Sequence, residues 1–139
     1  MNRKEIQRLV EEAERRESAG FEEINNFIFR HPELGLQEHL SSRYLADFMR
    51  QKGFTVTMPY AGFDTAFRAE YGTKGPLFAF LAEYDALPGY GKAKKNGHAC
   101  GHNWIASTAA GAAVVLANLA DQAEFRVALI GTPAEETYG

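Results

Sequence analysis

The sequence predicts an α/β fold, a sheet with helices packed on it, and three observations carry that prediction. Two charged, amphipathic stretches open the chain and are followed by strand-like segments. Two nearly continuous apolar runs, LFAFLAEY (77–84) and FRVALIG (125–131), have the composition of buried strands. Between them lies an alanine-rich segment of helical pattern, so strands and a helix alternate.

Taken in order, Ile6, Leu9, Val10 and Ala13 recur at helical spacing among charges. Gly20 is expected to break or weaken that helix. Phe21, Ile24, Phe27 and Ile28 continue the apolar stripe, and Pro32 ends it by disfavouring helical geometry in the residue before it. A second helix fits residues 37–52, with Leu40, Tyr44, Leu45, Phe48 and Met49 on one face and Gly53 at the C-terminal cap. FTVTM (54–58) and TAFRAEY (65–71) alternate as half-buried strands do. LFAFLAEY reads as a central strand covered on both faces. GKAKKNG (91–97) is polar and reads as a surface loop with solvated lysines. Residues 103–120 read as a buried helix, with Ile105, Ala109, Ala112, Ala113, Leu116 and Leu119 sharing the packed face. FRVALIG is a second central strand and runs into TPAEE.

The chain has 139 residues, which suits one domain or part of a larger one. Its 45% hydrophobic and 24% charged residues are those of an ordinary globular protein with enough apolar side chains for a core. A net charge of −3 argues against general attraction to nucleic acid. The single cysteine excludes an internal disulfide, so the fold does not depend on an oxidising compartment. The start, MNRKEIQRLVEEAERR, lacks the apolar run of a secretory signal. The most apolar segment, 104–120, contains Ser107, Thr108 and Asn118 and falls short of roughly 20 strongly apolar residues, so no membrane span is expected. These features lead us to expect a cytoplasmic protein.

The chemistry concentrates in GHACGHN (97–103). If that segment is extended, His98, Cys100 and His102 point to one side and face one cavity. Thiolate and neutral imidazole suit zinc and other transition metals, but Cys100 and His102 alone are too few for a site. Further donors are expected from two acidic clusters where the apolar strands end, Glu83-Tyr84-Asp85 and Glu135-Glu136. Ligand sites in α/β sheets gather at the carboxyl ends of strands, so parallel neighbours would bring all three segments together. Adjacent carboxylates can divide the work, one binding metal while the other takes a proton from water.

Other readings stand beside this one. A lone cysteine is often packing material, a histidine near a strand end a hydrogen-bonded structural group, and an acidic pair a solvated helix start. Cys100 with a histidine base would make a nucleophilic hydrolase. A structural metal module or an interaction domain is a third class, although structural zinc sites usually show two complete ligand pairs and one is visible here.

Four ordered motifs, HPELGLQE (31–38), LAEYDALPG (81–89), GHACGHN (97–103) and GTPAEE (131–136), resemble those of family twenty of the metallopeptidases (clan MH). That family holds aminoacylases, carboxypeptidase G and the hydrolases of indole-acetyl-amino acids and hippurate. The pairing of EYDALPG with GHACGHN is most similar to its aminobenzoyl-glutamate hydrolase branch. The resemblance covers the chain from about Phe21 onward. It implies a zinc-peptidase-like sheet and a two-metal amidohydrolase, using zinc or manganese, that cleaves N-acyl amino acids, aminobenzoyl-glutamate-like compounds or dipeptides. By motif match, Cys100, His102 and Glu136 would be metal ligands and Glu135 the general base. Asp85 stands where relatives carry an acidic residue supporting the metal site. His98 matches a motif position without an assigned role.

The sequence departs from the pattern in the lysine-bearing insert between LPG and GHACGH. It also stops just after the glutamate pair, whereas relatives supply two further histidine ligands downstream and a second, smaller domain for substrate closure and dimer contact. The resemblance therefore implies that residues 1–139 are the N-terminal part of a metallopeptidase-like catalytic domain. Such a part would lack hydrolase activity alone, would expose a sheet edge and self-associate, and would belong to a homodimer when complete.

Overall fold

The computed structural model describes residues 1–138; Gly139 lies outside the described residues. Helix α1 spans Arg3–Arg30 and α2 spans His39–Gln51. Strands β1 (Thr55–Thr57), β2 (Phe67–Tyr71) and β3 (Leu77–Ala82) follow. A 3-10 turn covers Lys92–Lys94, and then come α3 (His102–Ala123), β4 (Arg126–Gly131) and the single turn α4 (Glu135–Tyr138).

Helix α1 starts at a capping box: the Asn2 side chain accepts the Glu5 N–H at 3.0 Å and the Glu5 carboxylate accepts the Asn2 N–H at 3.4 Å. Of the break or weak point expected at Gly20, the break does not occur, and the helix runs through it. A Cβ there would stand 3.0 Å from the Phe48 ring, so the missing side chain is what admits α2 against α1. Ala13, Ile24 and Ile28 are its buried residues, and its first two turns stand in solvent. Helix α2 closes at Gly53, whose φ of +85° glycine adopts without steric cost. Its Leu45 and Met49 are fully buried as expected, but Leu40 is exposed and Ser41, Ser42 and Ala46 complete the packed face.

The sheet order is β1-β2-β4-β3, with β1–β2 and β2–β4 antiparallel and β4–β3 parallel. Strand β4 is central, as expected. Strand β3 is not: it is the outer strand among the described residues, with Phe78 and Leu81 half-exposed or more. An apolar run reports apolar surroundings, and here only one face of the strand has them. The register aligns Phe78 with Val127 and Phe80 with Leu129 on the face that carries the core. Leu77, Leu81, Arg68 and Ile130 lie on the other face, which no described helix covers. Strand β1 is only three residues long and mostly exposed.

Helix α3 packs between α1 and strands β3 and β4. Its contact face is set by Ala106, Ala110, Ala113, Val114 and Ala117, each 5% exposed or less. Of the expected face, Ala109, Ala113 and Leu119 are buried, but Ile105 is 39% exposed, so the packed face is shifted toward the small residues. Alanine wins because close approach to both a helix and a sheet leaves no volume for a longer chain. Helix α3 is long and apolar enough to pass for a membrane span, and its apolar residues are mostly buried in this core.

Candidate metal centre

Strands β3 and β4 are parallel neighbours, so their carboxyl ends, Ala82 and Gly131, lie side by side. The chain leaving β3 carries Glu83 and Asp85. The chain leaving β4 carries Glu135 and Glu136. Helix α3, which links the two strands, begins with His102. The expected convergence of three segments at one sheet edge is what the structure shows. The ends are tied together by the Thr132 N–H, which donates to the Ala82 carbonyl at 2.8 Å.

His102 is at the centre. It is 4% exposed, and Gly101 before it has a φ of +83° that lets the backbone turn from Cys100 directly into the helix. Its Nδ1 lies 2.7 Å from Oδ1 of the fully buried Asp85. A carboxylate only accepts, so Nδ1 donates, and in the neutral ring that binds a metal Nε2 carries the lone pair. That Nε2 faces Glu83 Oε2 at 3.4 Å, Glu135 Oε2 at 3.6 Å and Glu136 Oε1 at 3.7 Å. Asp85 also uses Oδ2 to accept the Glu136 N–H at 2.9 Å, and the Cys100 thiol lies 3.5 Å from the Asp85 carbonyl. One buried aspartate thus ties the cysteine, the histidine and the second glutamate together.

Two donor sets result. In each, one donor atom per residue lies within 4.8 Å of the others: Cys100, His102 and Glu136 in one, Glu83, His102 and Glu135 in the other. Among the described residues, no lysine or arginine pairs with these carboxylates. Lone pairs therefore converge with no donor between them, an arrangement that a cation stabilises. Thiolate, imidazole and carboxylate suit zinc and neighbouring transition metals, and metal–donor bonds of about 2.0–2.3 Å place the donors of one ion about 3–4 Å apart. The donor set fits such an ion after small adjustment. Burial, and then the charges of Glu136 and Asp85, push the Cys100 thiol pKa up, an effect that a bound cation opposes.

His98 does not join this cluster. The backbone at 98–101 turns instead of extending, and the alternation that would align His98 with Cys100 and His102 is lost. Its ring is 8% exposed, neither nitrogen makes a well-formed hydrogen bond, and burial lowers its pKa. The lysine-bearing insert is exposed at Lys92, Lys94 and Lys95, as expected of a loop.

Two contributions go beyond the residues that the motifs single out. Glu83 belongs to one donor set, although only Asp85 of that acidic cluster stands out by motif. HPELGLQE, noticeable only as a resemblance, organises the floor of the site. Its Glu33 carboxylate accepts the Leu40 and Ser41 N–H groups, each at 2.9 Å, and caps α2 from outside; the Glu33 carbonyl accepts the Ala86 N–H at 2.8 Å, next to Asp85. Glu38, fully buried, accepts the Ala134 N–H at 2.8 Å.

Comparison with known proteins gives a consistent picture. Residues 79–139 match the model of peptidase family M20/M25/M40. The chain is 32% identical to a p-aminobenzoyl-glutamate hydrolase polypeptide of Escherichia coli (strain K12), over 95% of this chain and 30% of that one. It is 35% identical to the Xaa-Arg dipeptidase of Mus musculus, over 100% of this chain and 33% of that one. The chain thus spans about a third of the length of these curated relatives. Among solved structures, it is similar to an aminohydrolase of methicillin-resistant Staphylococcus aureus, with a TM-score of 0.76, 27% identity, and coverage of 94% of this chain and 35% of that one. It is also similar to a Bacillus subtilis protein described as a dinuclear metal binding peptidase, with a TM-score of 0.69, 28% identity, and coverage of 86% and 36%. The four motifs, the sheet and these matches together make the chain similar to members of peptidase family M20/M25/M40, whose model it matches over residues 79–139.

Proposed function

We propose that this chain supplies the N-terminal part of a metal-dependent amidohydrolase acting on N-acyl amino acids, aminobenzoyl-glutamate-like compounds or dipeptides. The observation that carries the reading is the His102 Nε2 lone pair, directed by Asp85 into a ring of Cys100, Glu83, Glu135 and Glu136. Support for the substrate class comes from relatives named as a p-aminobenzoyl-glutamate hydrolase, a dipeptidase and an N-acetyl-L-cysteine deacetylase. Cys100, His102 and Glu136 would hold one divalent ion, zinc or manganese, and Glu83 offers a donor toward a second. About four donors per ion are needed, so the remaining ligands would come from outside these residues. The second domain and a homodimer belong to the same proposal.

Lewis acidity toward an amide carbonyl and toward water is the chemistry such ions supply when bound. The rest falls to the protein. Asp85 fixes the imidazole tautomer and orientation by accepting from Nδ1. Glu135 has the more exposed side chain of the pair, 42% against 30% for Glu136, and it takes the proton from the attacking water. A C–O bond forms at the carbonyl, the C–N bond breaks, and Glu135 returns the proton to the leaving amine.

Glu135→Gln in the full-length protein tests the division of labour between the two glutamates. We expect metal content to stay at the wild-type level and kcat to fall at least about a hundredfold, the scale of general acid–base catalysis. Loss of metal, or retention of full activity, would reject the assignment.

A further inference from the structure

We infer that Glu38 is a positioning residue for the Glu135–Glu136 pair: its buried carboxylate holds the left-handed turn at Ala134 from which both glutamates project. Ala134 has a φ of +62°, a conformation that its Cβ disfavours and that persists only where surrounding contacts impose it. Two contacts do so. Glu38 Oε1 accepts the Ala134 N–H at 2.8 Å, and the Gly35 backbone lies so close that a Cβ there would meet Ala134 Cβ at 2.9 Å. Ala134 is 1% exposed, so its N–H has no recourse to solvent.

The other carboxylate oxygen is also committed. Thr65 Oγ1 donates to Glu38 Oε2 at 3.0 Å, and the Thr65 carbonyl accepts the Tyr84 hydroxyl at 2.5 Å. Tyr84 precedes Asp85, whose Oδ2 takes the Glu136 N–H. The amides on either side of Glu135 are therefore held by two buried carboxylates from different segments, Glu38 below Ala134 and Asp85 below Glu136. The Glu135 carboxylate is half-exposed beside His102 while the backbone on both sides of it is held, which is what a proton-transferring group needs. Among the described contacts Glu38 touches no donor atom of the candidate metal centre, and its direct link to the glutamate pair is the Ala134 N–H.

The activity readout rests on the amide-hydrolase reading, and amide exchange does not. In the full-length protein, Glu38→Gln keeps an oxygen at the same reach and should hold kcat within about threefold of wild type. Glu38→Asp keeps the charge but is one methylene short of Ala134. It should lower kcat at least about tenfold with KM within about threefold, and speed hydrogen exchange at residues 134–136 by at least about tenfold. Glu38→Met, which fills the volume without an acceptor, repeats the test independently should the aspartate variant fail to fold. Thr65→Val removes only the donor to the other oxygen; it should lower the unfolding midpoint and leave kcat and the 134–136 exchange unchanged. The inference is overturned if the aspartate or methionine variant keeps wild-type kcat and protection, or if Thr65→Val reproduces both losses. A wild-type protein that hydrolyses no amide would reject the functional reading, while the exchange data would still decide the role of Glu38.

Discussion

At the scale of single residues, the site depends on which carboxylates are buried and what they accept. Asp85 and Glu38 are both fully enclosed, yet each takes a backbone N–H and a side-chain donor. Burial raises the Glu38 pKa above its usual 4.5 and outweighs the backbone and Thr65 hydrogen bonds that lower it. A raised folded-state pKa means that the native state holds its proton longer than the unfolded chain. That contribution to stability is fully present below about pH 4.5 and is lost as pH rises through the folded value. Gln does not titrate, so the unfolding midpoint of Glu38→Gln relative to wild type should rise between pH 4 and pH 8. Paired thermal melts check this, and a variant-minus-wild-type difference that stays constant or falls with rising pH would contradict it. Cys100, His102, Glu135, Glu136 and Asp85 were legible in the sequence because ligand chemistry and strand ends mark them. Glu83 was legible only as a member of an acidic cluster, and Glu38 was not, because an acid in a motif reads as solvated until the fold encloses it. His98 was misplaced because alternation holds only for extended backbone, and residues 98–101 turn.

At the scale of elements, most of the helices and strands could be read directly, and errors arose where tertiary neighbours decide. Gly20 has poor intrinsic helix propensity, but the space it leaves for Phe48 keeps α1 continuous. The apolar run of β3 identified a strand but not its neighbours. Its six residues, LFAFLA, contain no charge, proline or bulge to protect an outer edge. Phe78 is 50% and Leu81 58% exposed, on opposite faces of that edge. We therefore expect the isolated 1–139 chain to self-associate through β3. Leu81→Lys should shift it toward the monomer without loss of helical content, with light scattering and circular dichroism as the checks. A wild-type chain that stays monomeric at high concentration, or a lysine variant that associates equally, would show that β3 is not the interface.

At the scale of the whole molecule, the fold serves to bring three sequence-distant segments to one edge. The parallel β3–α3–β4 unit sets the ends of two strands and the start of one helix together, with α1 packed on α3 and α2 on β1 and β2. The chain spans about a third of the relatives' length. The donor set has that partial character too: thiolate, imidazole and carboxylates converge without a full complement for two ions. If this cluster works with bound divalent metal in amide hydrolysis, the most direct test is the rate at which the full-length protein releases amine from an N-acyl amino acid or aminobenzoyl-glutamate. That rate is measured as purified, after chelation, and after return of zinc or manganese. We predict turnover that falls at least about a hundredfold on chelation and returns with metal. Hydrolysis that survives chelation, or that is abolished by thiol alkylation and never restored by metal, would contradict a metal-dependent reaction at this cluster.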